Sequence, residues 1–392
     1  MKKGNVLVVG NSGVGKSTLI NAVLGEDCAK TSWGTEGTTK ELQIYESEGV
    51  PFRIIDTIGF EPSFIKERQA INAVKKWSVD SAKSGNEDTS ISAIWFCVDG
   101  TSSKLFSKTI NNLSRATKVW ESVPLIVVIT KSYSLPEREQ NVEMVYNAFA
   151  QQKKYSKNLH EVLPVVAAPF ILNDTAYAPS EGITELIDIT NEIMPEGIKA
   201  RAQDIAKFKL KRKRALAQAT VGVATIAGVV VGAIPIPFSD AVLLAPTETG
   251  EIYALAQIYE INKDEKSKQL LSSIVEAGTV GVAAKVALSS LKAIPGINLA
   301  VSVLNAIVAG VIISLLGEAS IYVFEQIYLG KKSVTDIEWV KKIIETKFAS
   351  QFTETIKSVT SKIAESSDKN AIAKIISDVI NSSSKEADVD NI

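Results

Sequence analysis

The chain has 392 residues, 45% of them hydrophobic, which suits two or three domains with sizeable cores better than one compact unit. Its formal net charge is −1, so an anionic partner must be met by a local basic patch and not by the whole surface. The single histidine, His160, largely excludes Ser-His-Asp triads and histidine-based metal sites, while Cys28 and Cys97 have no metal or redox spacing and read as buried thiols of a reducing cytosol.

The chain opens Met1-Lys2-Lys3-Gly4 and runs at once into the apolar stretch Val6-Leu7-Val8-Val9. That leaves no separate signal core and sets the expectation of a cytoplasmic N-terminus. Directly behind the stretch stands Gly10-Asn11-Ser12-Gly13-Val14-Gly15-Lys16-Ser17, a complete G-x-x-x-x-G-K-[ST] pattern. Its glycines let successive backbone N–H groups turn inward around phosphate oxygens at the start of a helix. Lys16 is placed to reach the β- and γ-phosphates and Ser17 to ligate Mg²⁺. Thr18 follows in the same set, and Thr18 to Leu24 reads as a helix ended by Gly25.

Next comes the polar loop Thr35 to Lys40, whose threonines precede the alternating strand Leu42 to Tyr45 and are suited to close over Mg²⁺. Phe52 to Ile55 then leads into Asp56-Thr57-Ile58-Gly59, a D-x-x-G at the end of an apolar strand. From there Asp56 would hold a water on Mg²⁺ and the Gly59 N–H would meet the γ-phosphate. Ile94 to Val98, Leu125 to Ile129 and Val162 to Ala167 are further strands, and Glu181 to Ile189 has helical spacing that stops at Pro195. The alternation predicts an α/β domain over 1–197, an open, mostly parallel sheet with helices on both faces.

These motifs resemble a translation-factor-class GTPase domain, in the style of the Era-like, septin-like and immunity-related GTPases. The resemblance implies GTP or GDP as ligand, phosphate binding by Gly13 to Lys16, Mg²⁺ at Ser17, at Thr39 (or Thr38) and, through water, at Asp56, and γ-phosphate sensing by Gly59. Lys16, Thr39 and Gly59 are thus the expected catalytic residues. Two departures stand out. The base-reading motif [NT]-K-x-D is matched by Thr130 and Lys131, but Tyr133 replaces its Asp; and Phe60 follows Gly59 where many such enzymes carry a water-positioning Gln. Slow unaided hydrolysis is the expectation, with a non-hydrolysing nucleotide-gated scaffold, or a self-assembling structural protein, as the alternative.

Basic residues crowd the segment from Lys199 to Arg214 (Lys199, Arg201, Lys207, Lys209, Lys211, Arg212, Lys213, Arg214) against the one acid Asp204. It reads either as the solvated face of a linker helix over 198–216 or as a docking face for an anionic membrane surface. Nucleic acid is not expected, because no aromatic platform is interleaved. Residues 215–239 and 293–317 are uncharged, and Gly228 and Gly232 have the small-xxx-small spacing of closely approaching helices. Both runs are long enough to span a bilayer, but both contain Ile-Pro and suit a buried bundle as well. Thr220 to Ala224 recurs as Thr279 to Ala283, which suggests a duplicated helical unit.

Residues 199–330 resemble the domain of unknown function 697 that follows GTPase domains in many bacterial proteins, through Gly232 to Asp240 and Leu316 to Ala319. That resemblance implies membrane association. The expected apolar α-helical domain covers 217–330, amphipathic helices with a frayed end cover 331–392, and a homodimer is a further expectation.

Overall fold

The computed structural model describes residues 3–25, 29–31, 42–57, 91–102, 110, 122–152, 157–173, 176–195, 202–233, 244–261, 264–278, 300–363 and 368–389. Thr38, Thr39, Gly59 and Phe60, the second copy of the repeat and the two Ile-Pro elements lie outside them, as do Lys199 and Arg201. The chain divides into two compact units, one of Met1–Ala168 with Ser180–Arg212, the other of Pro169–Pro179 with Lys213–Ile392.

The first unit is built on a sheet of β1 (Gly4–Val9), β2 (Ala29–Thr31), β3 (Leu42–Glu46), β4 (Phe52–Thr57), β5 (Ile91–Asp99), β6 (Leu125–Thr130) and β7 (Leu159–Pro164), in the order β2-β3-β4-β1-β5-β6-β7. The strands from β4 to β7 run parallel, while β2 and β3 are antiparallel additions at one edge. Continuous apolar runs make the central strands, since β1 and β6 are buried along their whole length and need helices on both faces. One face packs Ile94, Phe96 and Val98 with Val145, Ala148 and Phe149 of α2 (Leu135–Ala150). On β5 the intervening Trp95 donates its indole N–H to Thr190 Oγ1, 3.0 Å away on α3 (Ile183–Glu192), and meets Phe52 edge-on at 5.9 Å. Strand order reverses at β1, so the loops leaving the carboxyl ends of β1, β5 and β6 surround one crevice.

Helix α4 (Ala202–Gly232) carries the chain from the first unit into the second. It continues far past the short linker helix that the basic stretch suggested. In the second unit α5 (Ala245–Ile258), α6 (Glu265–Glu276), α7 (Val301–Tyr328), α8 (Ile337–Lys362) and α9 (Lys369–Val389) join a small hairpin of β8 (Phe170–Asn173) and β9 (Ala176–Ala178). Helix α7 is largely apolar and 94% buried over its most apolar stretch, as suits the central helix of a bundle. A Cβ on Gly228 would stand 2.7 Å from Ile313 Cγ1, and one on Gly232 2.7 Å from the Asn305 carbonyl, so the small-residue spacing marks where α4 closes on α7. The Ser- and Asp-rich end, expected to fray, is helical as far as Val389.

The basic stretch does not present a single cationic face. Lys207 and Lys211 are exposed, but Lys209 pairs with Asp188. Lys213 is fully buried in the second unit, where its Nζ donates to the Ile258 carbonyl at 2.6 Å and Glu260 Oε1 at 2.8 Å and lies 5.0 Å from the centre of the Tyr328 ring. Arg214 grips Glu325 with two hydrogen bonds of 2.8 and 2.7 Å, and Tyr259 donates to the same carboxylate at 3.1 Å. Charges brought into a helical interior must find such partners, because an unpaired buried ion costs several kcal/mol, order of magnitude.

Candidate functional site

Strand β1 ends at Val9, and Gly10 turns the chain out of the sheet where a side chain cannot follow: a Cβ there would come 2.6 Å from the Cys97 carbonyl. Helix α1 (Lys16–Leu24) starts behind Gly15, which holds φ +96° in the left-handed region that glycine alone adopts cheaply. The Lys16 ammonium folds back over the turn, donating to the carbonyls of Gly10 at 2.9 Å and Asn11 at 3.1 Å. Asn11 to Ser17 thus wrap the amino end of the helix, with Ser12, Gly13, Ser17 and Thr18 exposed to an incoming ligand and Val14 anchored in the interior. Backbone N–H groups at that end and a positive helix terminus favour an anion.

The parallel register puts Asp56 beside Val8, so its buried carboxylate stands at the foot of the same loop. Burial pushes the Cys97 thiol up to about 12; the nearby Lys16 charge opposes this and Asp56 reinforces it. Cys97 is therefore an inert thiol beneath the loop, and the two charges that act on it are the two that the motifs single out.

On the far side of the loop, Thr130 Oγ1 lies 2.5 Å from the Val14 carbonyl and 2.9 Å from the Val98 carbonyl, which share its one proton. Lys131 takes the left-handed conformation at φ +54° and stretches its ammonium across to the Gly13 carbonyl, 2.7 Å away. The same ammonium donates to Asp99 Oδ2 at 2.7 Å. Burial alone would raise the Asp99 pKa, but the bonds from Lys131 and Thr101 prevail and hold its carboxyl below the ordinary carboxylate range. Tyr133 is half-buried, and that burial pushes its phenol pKa up, so it stays a neutral hydroxyl. The Ser132 N–H donates to the Val165 carbonyl at 3.2 Å, which brings the loop after β7 alongside.

The structure therefore gathers Gly10 to Thr18, Asp56, Thr130 and Lys131 around one crevice. Asp99 belongs to it as well and was missed from the sequence. Its one signal was its place after the apolar run Ile94 to Val98, before Gly100-Thr101.

Residues 5–131 match the family described as 50S ribosome-binding GTPase. GTPase Era of Glaesserella parasuis is 31% identical over 165 residues, 42% of this chain and 49% of that protein. GTPase Der of Neisseria meningitidis is 40% identical over 90 residues, 22% of this chain and 17% of that protein. The chain spans about half the length, or less, of these curated relatives. A solved structure of an Aquifex aeolicus Era variant bound to GDP.AlF4- has 22% identity and a TM-score of 0.32, over 58% of this chain and 67% of that one. A score that low carries no argument, and the identification rests on the sequence match and the local geometry. The family match ends at residue 131, so it says nothing of the domain-697 resemblance. The N-terminal part of this chain carries a P-loop GTPase domain, and a largely helical region follows it.

Proposed function

We propose that this protein binds GTP and GDP with Mg²⁺, hydrolyses GTP to GDP and phosphate, and uses its nucleotide state to control the helical unit. The observation that carries the reading is the Lys16 ammonium, held over the phosphate loop by the Gly10 and Asn11 carbonyls at the amino end of α1. In this reading Gly10 to Thr18 cradle the phosphates, Thr130 and Lys131 flank the base, and Ser17, Thr39 and Asp56 serve the metal.

The donors fit Mg²⁺, since a hydroxyl and a carboxylate are hard oxygen ligands and this ion takes one or two such groups with phosphate and water completing its shell. Among the described residues no cluster of three His, Cys, Asp or Glu side chains suits a metal, so a cage made of protein alone is not proposed. When bound, Mg²⁺ neutralises charge on the β- and γ-phosphates. Water adds to the γ-phosphorus as the bond to the bridging oxygen breaks, and the charge that grows on that oxygen meets Lys16 and the N–H groups of the loop. Phe60 has no polar group with which to orient the water, so turnover is slow until a partner or self-assembly supplies one.

Guanine over adenine is part of the proposal, supported by the Thr130-Lys131 half-motif and the named relatives. Single-turnover hydrolysis tests the core claim: phosphate release is expected to fall on the order of a hundredfold or more in Lys16→Ala. No release by the parent protein, with or without liposomes, would favour the nucleotide-gated scaffold. Side-by-side titration of GDP and ADP tests the base, and Tyr133→Asp is expected to sharpen the preference.

For the helical unit the reading is a bundle that associates with membranes peripherally, supported by α7, whose most apolar stretch is 94% buried, more than by α4, where the figure is 44%. Release by alkaline carbonate is expected, and retention until detergent is added would mean spanning. A homodimer stays in the proposal, to be checked by light scattering. A solved Era structure with a segment of 16S ribosomal RNA resembles this chain too weakly, at a TM-score of 0.28, to bear on nucleic acid, so the expectation against nucleic acid stays part of the proposal.

A further inference from the structure

Asp99 closes β5 in register with Thr130 on β6, so its carboxylate stands next to the side chain of Lys131. The carboxylate is oriented from both sides. Oδ1 accepts the Thr101 N–H at 3.0 Å and the Thr101 hydroxyl at 2.6 Å, while Oδ2 accepts the Lys131 ammonium at 2.7 Å. The loop that carries it is pinned in turn. The Gly100 N–H donates to the Thr130 carbonyl at 2.8 Å, and the buried Asn141 Nδ2 donates to the Gly100 carbonyl at 3.0 Å.

Lys131 has a left-handed backbone that a non-glycine residue holds at a cost, so its surroundings must fix it there. Two acceptors do so, the Gly13 carbonyl of the phosphate loop and Asp99. Position 133, where the related motif keeps a base-reading carboxylate, is a tyrosine.

We infer that Asp99 is a positioning residue for the nucleotide: it locks Lys131 across the phosphate loop, and its contribution to affinity is the same whichever base is bound. The inference rests on the nucleotide-binding reading. Lys131, held at both ends of its reach, lays its aliphatic stem along the plane of a base, a contact that any base face accepts, whereas discrimination needs hydrogen bonds to a base edge.

The test is the affinity of the full chain for fluorescent GDP and ADP analogues in the parent, Asp99→Asn, Lys131→Met and the double variant, with thermal melting as the control for folding. Asp99→Asn keeps the shape of the side chain and an acceptor for Thr101 but loses the charge, and is expected to weaken both nucleotides by the same factor, about tenfold. The double variant is expected to bind about as Lys131→Met does, because Asp99 acts through Lys131. Thr101→Val, which loosens the carboxylate without touching Lys131, is expected to weaken both nucleotides by a smaller common factor. Unchanged affinity in Asp99→Asn beside a tightly binding parent overturns the role of Asp99 alone. A loss for GDP without one for ADP makes Asp99 a reader of the base, and losses that multiply in the double variant make it independent of Lys131; both overturn the inference. A parent that binds neither nucleotide overturns the nucleotide-binding reading itself.

Discussion

The two units use charge in opposite ways. In the first, the charged groups that matter sit at the tips of parallel strands, a few residues from the turns that place them, and they face a crevice open to a ligand. In the second, Lys213 is buried in a helical bundle and Arg214 is partly exposed beside it, each satisfied by a partner distant in sequence, Glu260 and Glu325, while Glu251 is buried with no hydrogen bond from the described residues. A loop charge at a strand end is therefore evidence about a ligand. A charge on a long helix is evidence about a ligand only once its partners have been found.

The sharpest way to break this comparison is Arg214→Ala. It leaves the buried Glu325 carboxylate with the Tyr259 hydroxyl as its one hydrogen-bond donor among the described residues, and is expected to cost about 3 kcal/mol of unfolding free energy by denaturant titration. A variant that melts like the parent but loses liposome binding would return Arg214 to a lipid-facing role.

Somewhat smaller is the effect of removing a buried acid. Glu251 on α5 is fully buried, its carboxylate oxygens accept no hydrogen bond from the described residues, and a Cβ added at Gly317 would collide with one of them. Burial raises its pKa well above 4.5, and the neighbouring Glu248 and Glu318 charges raise it further. For an acid whose pKa is higher folded than unfolded, stability is greatest below the unfolded value and falls as pH rises towards the folded one. Glu251→Met is therefore expected to stabilise the protein by about 2 kcal/mol near neutral pH and to remove part of the decline above about pH 4.5. A variant that is less stable than the parent at pH 8 would mean that the carboxylate has a bound partner.

Gly232→Ala probes the close approach of α4 to α7. The added methyl meets the Asn305 carbonyl, and a net loss of about 1–2 kcal/mol is expected after the gain in helix propensity. The smallest change belongs to the exposed pair: Lys207→Glu with Lys211→Glu should shift stability by less than about 0.5 kcal/mol. If these two form the docking face, liposome binding falls in the same variant and its salt dependence flattens.

The phosphate loop was legible from the sequence because its chemistry is local. Gly10, Gly15 and Lys16 act through their own backbone and near neighbours, and an apolar strand before a helix leaves the loop little freedom. The strands could be read because central parallel strands must be apolar throughout, although the sequence did not disclose β2 or the hairpin of β8 and β9, which are too short for periodicity to register. Asp99 went unread because its partner Lys131 comes from another strand, and only the register of β5 with β6 makes them neighbours.

The sequence by itself determined the P-loop, the order of strand and helix in the first unit, and the presence of long apolar helices after it, since each follows from spacing within a few turns of chain. Only the tertiary structure decided what the basic and acidic residues of α4, α5 and α7 do. Their pairing energies depend on residues 45 to 111 positions away, as with Lys213 and Ile258 or Arg214 and Glu325, and on burial that no local pattern specifies.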